Sequence, residues 1–463
     1  MRLIESVATR PFVLPLPCKG DPTLTTPSSS THAATRRDFL AGAAATAATL
    51  ATLTPHVHAA GSDILRIGLI GCGGRGTGAA EQALRADKNT KLVAMGDMFA
   101  DKLQGSLQTL KNNKAVGNRV EVTPDSSFTG FNAYKSVIYL SDVVLLTTPP
   151  HFRPIHLKAA VDAGKHVFAE KPCAVDGPGV RTVLKACEEA KKKNLAIVAG
   201  LCWRYHHGMR ETMKRVHDGE IGPITSLQCT YNTGGLWSNV RQPKWSDMEY
   251  QLRNWLYYTW LSGDFNVEQH IHSIDKMAWV MQNEYPVRAV GSGGRQVRTD
   301  PLYGNVFDHH TVVYEYANGV KLFSACRQEI GCAPDVSDHI MGTKGTCHIE
   351  TNHPARGIIN SFPDGKTMWR SVSNLKKAPP DDMYQNEHDE LFAAIRAGKP
   401  INNGEWMAKS TLMAIMGRMA TYTGQVIEWD KALNSKEDLT PPAYEFGPLP
   451  VAPVARPGVT KFI

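Results

Sequence analysis

Residues 64–78 read ILRIGLIGCGGRGTG, and this stretch constrains the fold more than any other. An apolar run leads straight into Gly71-Cys72-Gly73-Gly74-Arg75-Gly76, and a helical pattern continues to about Ala86. A strand that enters G-x-G-x-x-G and leaves as a helix has little conformational freedom. The first glycine permits the tight turn, the second lets backbone approach a pyrophosphate, and the third lets the helix pack close to the strand. The exposed amides at the helix start then face the phosphates. Gly71, Cys72, Gly73, Arg75 and Gly76 are therefore candidate cofactor-binding residues. The next apolar run, KLVAMGD, ends in Asp97. A carboxylate there suits a ribose 2′-hydroxyl and repels a 2′-phosphate, so NAD is expected rather than NADP.

Short apolar runs recur through the first half at 64–70, 91–96, 142–148, 166–170 and 196–200, separated by longer helical patterns. Near-continuous Val/Ile/Leu runs mean strands buried on both faces, as in a parallel sheet. The alternation predicts an α/β domain over residues 61–200, a Rossmann-type doubly wound parallel sheet. Beyond about residue 222 the pattern changes. Alternating or β-branched runs at 224–231, 288–298, 309–326 and 345–350 predict an α+β domain over 201–440 with a mainly antiparallel open sheet. Tyr316-Ala317-Asn318-Gly319 ends in a strong hairpin turn signal. Helices are expected at about 266–282, 383–397 and 405–423. The Pro-rich stretch 441–463 is expected to run extended over the surface.

The segment before the glycine loop carries Arg36-Arg37, then Phe39-Leu40, then an Ala/Thr-rich run ending in Val57-His58-Ala59. That order is the pattern of a twin-arginine signal. Residues 1–60 are thus expected to be a signal peptide and tail, with the translocase as a partner during export and a periplasmic or otherwise exported location. The run is too short and too diluted by Thr and Gly to span a membrane. About 400 residues remain, which suits two domains. The net charge of +7 is spread along the chain with no basic stripe interleaved with aromatics, so nucleic acid is not an expected partner. Nine cysteines include no C-x-x-C pair, and most are read as small core residues.

The chemistry concentrates in TTPPHFRPIHLKAAVDAGKHVFAEKP, residues 147–172. Strand, helix and strand bring Thr148-Pro149-Pro150-His151 and Glu170-Lys171-Pro172 to the carboxyl edge of the sheet, where ligands bind in such folds. Here the chain resembles the Gfo/Idh/MocA oxidoreductases, the glucose–fructose oxidoreductase and inositol dehydrogenase family. The resemblance rests on the glycine loop, the acidic strand end, the Thr-Pro loop, the Ala-Gly-Lys-His-Val-x-x-Glu-Lys-Pro run and the domain that follows. It implies cofactor contacts from Thr148, Pro149, His151, Glu170 and Lys171. It also implies a second catalytic segment, met here as SGDFNVEQHIHSID at 262–275. Aligned, Glu268 stands where the family has Asp, His272 takes the family's His, Asp275 matches the last Asp, and His270 replaces a small Gly. Glu268 and His272 are four apart, so a continuous helix would put them on one face.

The resemblance implies a hydride passing between NAD and a carbon bearing a hydroxyl in a sugar or polyol. His272 would take the hydroxyl proton, Lys171 would steady the developing negative charge, and Glu268 would orient and tune. The division of acid–base work between Lys171 and His272 stays open. Arg204, His270, Trp237 and Trp255 are candidate substrate residues, the two tryptophans offering flat faces to a sugar ring. For Arg204 a structural ion pair, and for the aromatic-rich stretch 234–260 a packed loop or subunit contact, weigh about as much. Glu268, His270 and His272 also form a possible metal set, but positions i and i+2 do not share a helix face, so no metal is expected. A homo-oligomer through the open sheet is implied by the family. Two alternatives to a dehydrogenase remain: a redox-neutral glycosidase, lyase or epimerase that oxidises a ring hydroxyl transiently, and a non-enzymatic NAD-binding protein.

Overall fold

The computed structural model describes residues 64–350, 358–371 and 381–463, so the expected signal segment lies outside the described residues. The first sheet contains β1 (Leu65–Ile70), β2 (Thr90–Asp97), β3 (Ser127–Thr129), β4 (Val143–Leu146), β5 (His166–Ala169) and β6 (Ile197–Ala199). Every pairing is parallel, in the order β3-β2-β1-β4-β5-β6. All four residues of β4 are buried, as expected for a strand with helices on both faces. The order reverses direction between β1 and β4, and open parallel sheets bind ligands in the crevice at that switch point. The glycine loop leaves β1 and the Thr147–Pro149 loop leaves β4, so both arrive at the crevice.

The second sheet orders its strands β14-β13-β12-β11-β7-β10-β9-β8-β15. These are β7 (Ile224–Thr233), β8 (Arg288–Gly294), β9 (His309–Glu315), β10 (Lys321–Gln328), β11 (Ser337–Gly342), β12 (Thr346–Glu350), β13 (Ile358–Ser361), β14 (Thr367–Ser371) and β15 (Ile427–Glu428). All pairings are antiparallel except β10 on β7. The expected hairpin joins β9 to β10, with Gly319 at φ +85°. Along β10, Leu322, Ser324, Cys326 and Gln328 are buried while Lys321 and Phe323 are exposed, so one face is packed and the other open. Helices Ile271–Val280 and Gly404–Thr423 cover the packed face.

The chain then crosses back. Helix Met383–Arg396 packs against helix Gly74–Ala86, which carries the glycine loop, and Leu391 and Phe392 join the core of the first sheet. Ile401 accepts the amide of Ile197 on β6 at 2.8 Å. Helix Gly404–Thr423, buried almost all round, packs against both sheet β8–β9 and helix Gly177–Lys192. The two sheets are therefore joined by shared helices, which fixes the crevice between them. Among the described residues no helix is long and apolar enough to cross a membrane. Seven of the eight described cysteines are buried, and none of the eight is in a disulfide.

Candidate active site and cofactor cleft

A cavity of about 880 Å³ opens at the switch point. Its floor is the glycine loop. Gly71 sits at φ +99°, and a methyl group there would lie 2.6 Å from the Thr148 amide. At Gly76 it would lie 1.9 Å from the Gly71 carbonyl. Among the described residues nothing lies within 4 Å of the same position on Gly73 or Gly74. A cradle that crowds its first and third glycines and leaves the second bare fits a pyrophosphate, so the residues present suit a dinucleotide. Thr147 locks the loop from β4: its hydroxyl donates to the Gly71 carbonyl at 2.6 Å.

Asp97 lines the same cavity. One carboxylate oxygen accepts the Cys72 amide at 2.6 Å and the other accepts the Phe99 amide at 2.8 Å. Burial pushes this carboxyl above the ordinary aspartate range, and those amides work against that rise. Asp97 therefore also braces the glycine loop. Cys72 contributes its backbone to this bond, but its side chain is buried and does not line the cavity. Thr148 and Pro149 do line it. His151 does not: it is buried, edge-on to Trp260, with Nε2 2.8 Å from the Tyr444 hydroxyl, and burial holds its pKa down at about 4. The expected cofactor contact from His151 gives way to a packing role, because the short helical turn after Pro150 turns the ring inward.

Lys171, from the loop after β5, meets Glu268 and His272, from two short helices of the second domain, outside the lining of the 880 Å³ cavity. Glu170 connects the two places. Its carboxylate pairs with Arg75 of the cavity wall at 2.8 Å and accepts the Lys171 amide at 3.2 Å. The Lys171 ammonium donates to the Glu268 carboxylate at 2.8 Å and to the Glu268 carbonyl at 2.6 Å. The second bond explains a departure from expectation. The helix expected over 266–282 is broken into Phe265–Glu268 and Ile271–Val280. The His272 amide bonds the Gln269 carbonyl at 3.2 Å, so the Glu268 carbonyl is free for the lysine. Glu268 and His272 are thus not successive turns of one helix, and Glu268 is partnered by Lys171.

Burial opposes the charge on Lys171, but the touching Glu268 carboxylate outweighs it and holds the lysine pKa above its usual value. His272 is shifted the other way. Burial first, then the positive charges of Lys171 and Lys276, hold its pKa well below the usual histidine value. Its Nδ1 is buried with no hydrogen-bond partner among the described residues. The pair therefore presents a charged donor beside a neutral imidazole.

The candidate substrate residues separate. Trp237 and Trp255 line the cavity. His270 is fully buried, with Nε2 2.7 Å from the Ser324 hydroxyl on β10, which corrects the expectation that it is a substrate residue. The break at Gln269 leaves it in the sheet core against Ser324, and among the described residues Glu268, His270 and His272 do not form a converging ligand group. Arg204 forms the structural ion pair. It meets Asp275 at 2.8 Å and stacks on Trp406, its guanidinium 4.1 Å from the ring centre.

Arg153 was not singled out by the sequence. It is buried and donates to the Glu170 carbonyl at 2.8 Å and the Thr148 carbonyl at 2.7 Å, tying together the two loops that follow β5 and β4. Gly200 was also missed. A methyl group there would lie 2.8 Å from a Glu170 carboxylate oxygen, so the glycine ending the β6 run makes room for that side chain. A charged residue inside an otherwise apolar helix start was the available signal for Arg153; Gly200 offered none.

Residues 65–199 match the family described as an oxidoreductase family with NAD-binding Rossmann fold, and residues 209–348 match the GFO/IDH/MocA C-terminal domain. The chain is 28% identical to the 2,7-anhydro-N-acetylneuraminate hydratase of Escherichia coli (strain K12) over 56% of this chain and 64% of that protein. It is 24% identical to an inositol 2-dehydrogenase of Rhizobium meliloti over 73% of this chain and 90% of that protein. Levoglucosan dehydrogenase, in a complex with NADH and levoglucosan, shares the fold at a TM-score of 0.60 and 17% identity, covering 79% of this chain and 99% of that one.

Proposed function

Because the chain belongs to the Gfo/Idh/MocA oxidoreductases, whose first domain binds NAD, we propose that it transfers a hydride between NAD and a hydroxyl-bearing carbon of a sugar or polyol derivative. The observation that carries this reading is the charged Lys171–Glu268 pair beside a neutral His272. NAD supplies the hydride acceptor. The chain supplies the rest. Oxidising a secondary alcohol requires its proton to leave, and a neutral imidazole accepts it. Lys171, fixed by Glu268, keeps its protons and steadies the negative charge that grows on the substrate oxygen. This divides the work: His272 is the base and Lys171 the donor. Trp237 and Trp255 line the cofactor cavity, outside which the Lys171–His272 site lies, so their ring faces would meet the cofactor rather than the sugar.

A second reading has specific support, since one relative is named as a hydratase rather than a dehydrogenase. In a redox-neutral cycle the substrate's hydroxyl is oxidised, the new ketone acidifies the neighbouring C–H, a group is eliminated or rearranged, and the ketone is reduced again. The hydride taken up in the first step returns in the last, so no NAD is consumed. The Arg36-Arg37 segment favours this reading if it acts as a twin-arginine signal, because that route carries folded proteins and NAD is scarce outside the cytoplasm. Export to the periplasm, passage through the translocase and a homo-oligomer built on the open sheet face belong to the same proposal.

Mass spectrometry of denatured, purified protein measures whether NAD travels with it. A panel of polyols and glycosides then separates the readings. Accumulating reduced nicotinamide supports the dehydrogenase, and product without net reduction supports the neutral cycle. His272→Ala and Lys171→Ala variants that keep full turnover overturn the assigned roles. Tight NAD binding with no turnover of any substrate class leaves the non-enzymatic reading.

A further inference from the structure

The aromatic-rich stretch 236–258 borders the cofactor cavity. It folds on itself: the Asn239 amide donates to the Asn254 side chain at 2.7 Å, the Asn239 side chain donates to the Arg253 carbonyl at 2.7 Å, and the Tyr257 hydroxyl donates to the carbonyls of Leu236 and Trp237 at 3.1 Å. Its residues Trp237, Asn239, Trp245, Leu252, Arg253 and Trp255 line the cavity opposite the glycine loop.

One residue latches this segment to the cofactor domain. The Arg253 guanidinium donates both its terminal nitrogens to the Asp101 carboxylate, at 3.1 and 3.2 Å. It lies 3.9 Å from the centre of the Phe99 ring and 4.9 Å from that of Trp245. Its third donor goes to Glu249 at 2.9 Å. Phe99 and Asp101 directly follow Asp97, the residue that marks the adenosine ribose in this fold. The latch therefore closes at the adenosine end of the cleft.

The C-terminal stretch buttresses the latch from outside. Gly447 accepts the Met248 amide at 3.2 Å, the Gln251 side chain donates to the Leu449 carbonyl at 2.7 Å, and the Leu449 amide donates to Asp247 at 3.2 Å. Phe446 stacks on Phe99 with ring centres 6.2 Å apart and reaches Phe131 at 5.8 Å, while Tyr444 holds His151. A small core of its own, built on Met248, Leu252, Tyr257, Tyr258 and Leu261, gathers Phe99, Phe131, Phe152 and Leu449 around it. Three parts of the chain far apart in sequence thus meet at one end of the cavity.

We propose that residues 236–258, latched by Arg253 and backed by residues 444–449, form a clamp that closes over the adenosine half of NAD and slows its release. The inference rests on the NAD-binding assignment and not on the identity of the substrate. The bidentate guanidinium–carboxylate pair and its ring contact hold the segment to the cofactor domain, so retention depends on the latch as well as on the phosphate cradle.

The test uses the full-length protein loaded with NAD, and reads the dissociation rate by displacement with an excess of a fluorescent NAD analogue. Arg253→Met and Phe446→Ala are each expected to speed release by about tenfold or more, and Arg253→Lys by less, since it keeps the charge but not the fork. Hydrogen exchange across 245–256 is expected to slow on NAD binding in the wild type. Release rates in Arg253→Met and Phe446→Ala equal to the wild type overturn the clamp, as does exchange across 245–256 that ignores NAD. If Arg253→Met does not fold, Phe446→Ala and the wild-type exchange decide the matter. A wild type that binds no NAD overturns the cofactor assignment itself, which is distinct from a loaded wild type whose variants release no faster.

Discussion

The floor and the roof of the cofactor cleft are held by different kinds of interaction. The floor is backbone. Gly71–Gly76, Asp97 and Thr147–Pro149 are ends of neighbouring strands, and their places follow from sheet register and from bonds such as Thr147 to the Gly71 carbonyl. The roof is side chain. Trp237, Trp245, Arg253 and Trp255 reach the cleft from the second domain and depend on Asp101, Phe99 and the distant Phe446. A floor set by strand ends tolerates no change of shape, whereas a roof set by contacts can open and close. Backbone register therefore sets the place where the phosphates bind, and the proposed clamp sets how long the cofactor stays.

The sharpest way to break the comparison is at Gly76. With a methyl group 1.9 Å from the Gly71 carbonyl, Gly76→Ala is expected to abolish NAD binding and to destabilise the fold by about 1–3 kcal/mol, as overpacking does. Calorimetric titration and thermal melting measure the two effects. Gly73→Ala, where space is open, is expected to lose NAD affinity while keeping its melting temperature.

At the chemistry beyond the floor, His272→Ala is expected to lower kcat by about 10²–10⁴-fold, the usual worth of a positioned base. Because burial and neighbouring charges depress the His272 pKa, the imidazole is already neutral at pH 7. The acid limb of kcat/KM should therefore lie below about pH 6.5, the ordinary histidine value, with no loss of rate between pH 8 and that point. Glu268→Gln removes the charge that keeps Lys171 protonated. A loss of about tenfold in kcat is expected, with an alkaline limb shifted to lower pH, read from the same profiles.

Acid should loosen the seam between floor and roof in a graded way. Burial, first among the causes, holds His151 down to about 4 and His156 to about 3. Both stay neutral when folded and take up a proton once unfolding returns them to water. The stability tied to them is complete above about pH 6.5 and is lost as the pH falls towards their folded values, at about 1.4 kcal/mol per pH unit for each. Melting temperatures from pH 7.5 to 5 follow this decline. The smallest expected change is Trp237→Ala: half-exposed at the edge of the cofactor cleft, it should cost a few-fold in NAD affinity and leave the melting temperature within about 2 °C.

Much of the floor was legible because its determinants are local. G-x-G-x-x-G after a strand, Asp97 at the end of the next one and the Thr-Pro loop after β4 are each short segments whose spacing carries their geometry. The catalytic trio was named by the pattern it shares with a family, but its arrangement was not readable. Helical spacing puts Glu268 and His272 on one face. In the folded protein Lys171, ninety-seven residues earlier, bonds the Glu268 carbonyl and the helix breaks at Gln269. The same break buries His270. A side chain that competes for a backbone carbonyl across two domains leaves no periodic trace.

By itself, then, the sequence determined the two-domain architecture, the phosphate cradle and the residue types that carry the chemistry, because buried strands, tight turns and helix starts each impose a composition on a few neighbouring positions. Only the tertiary structure decided that Glu268 serves Lys171, that Arg204 and His270 turn inward, that Arg153 ties the two loops, and that residues 236–258 close on the cofactor domain with the C-terminal stretch behind them. Those outcomes depend on which distant groups satisfy one another's hydrogen bonds and charges, and that pairing is settled when the two sheets come together.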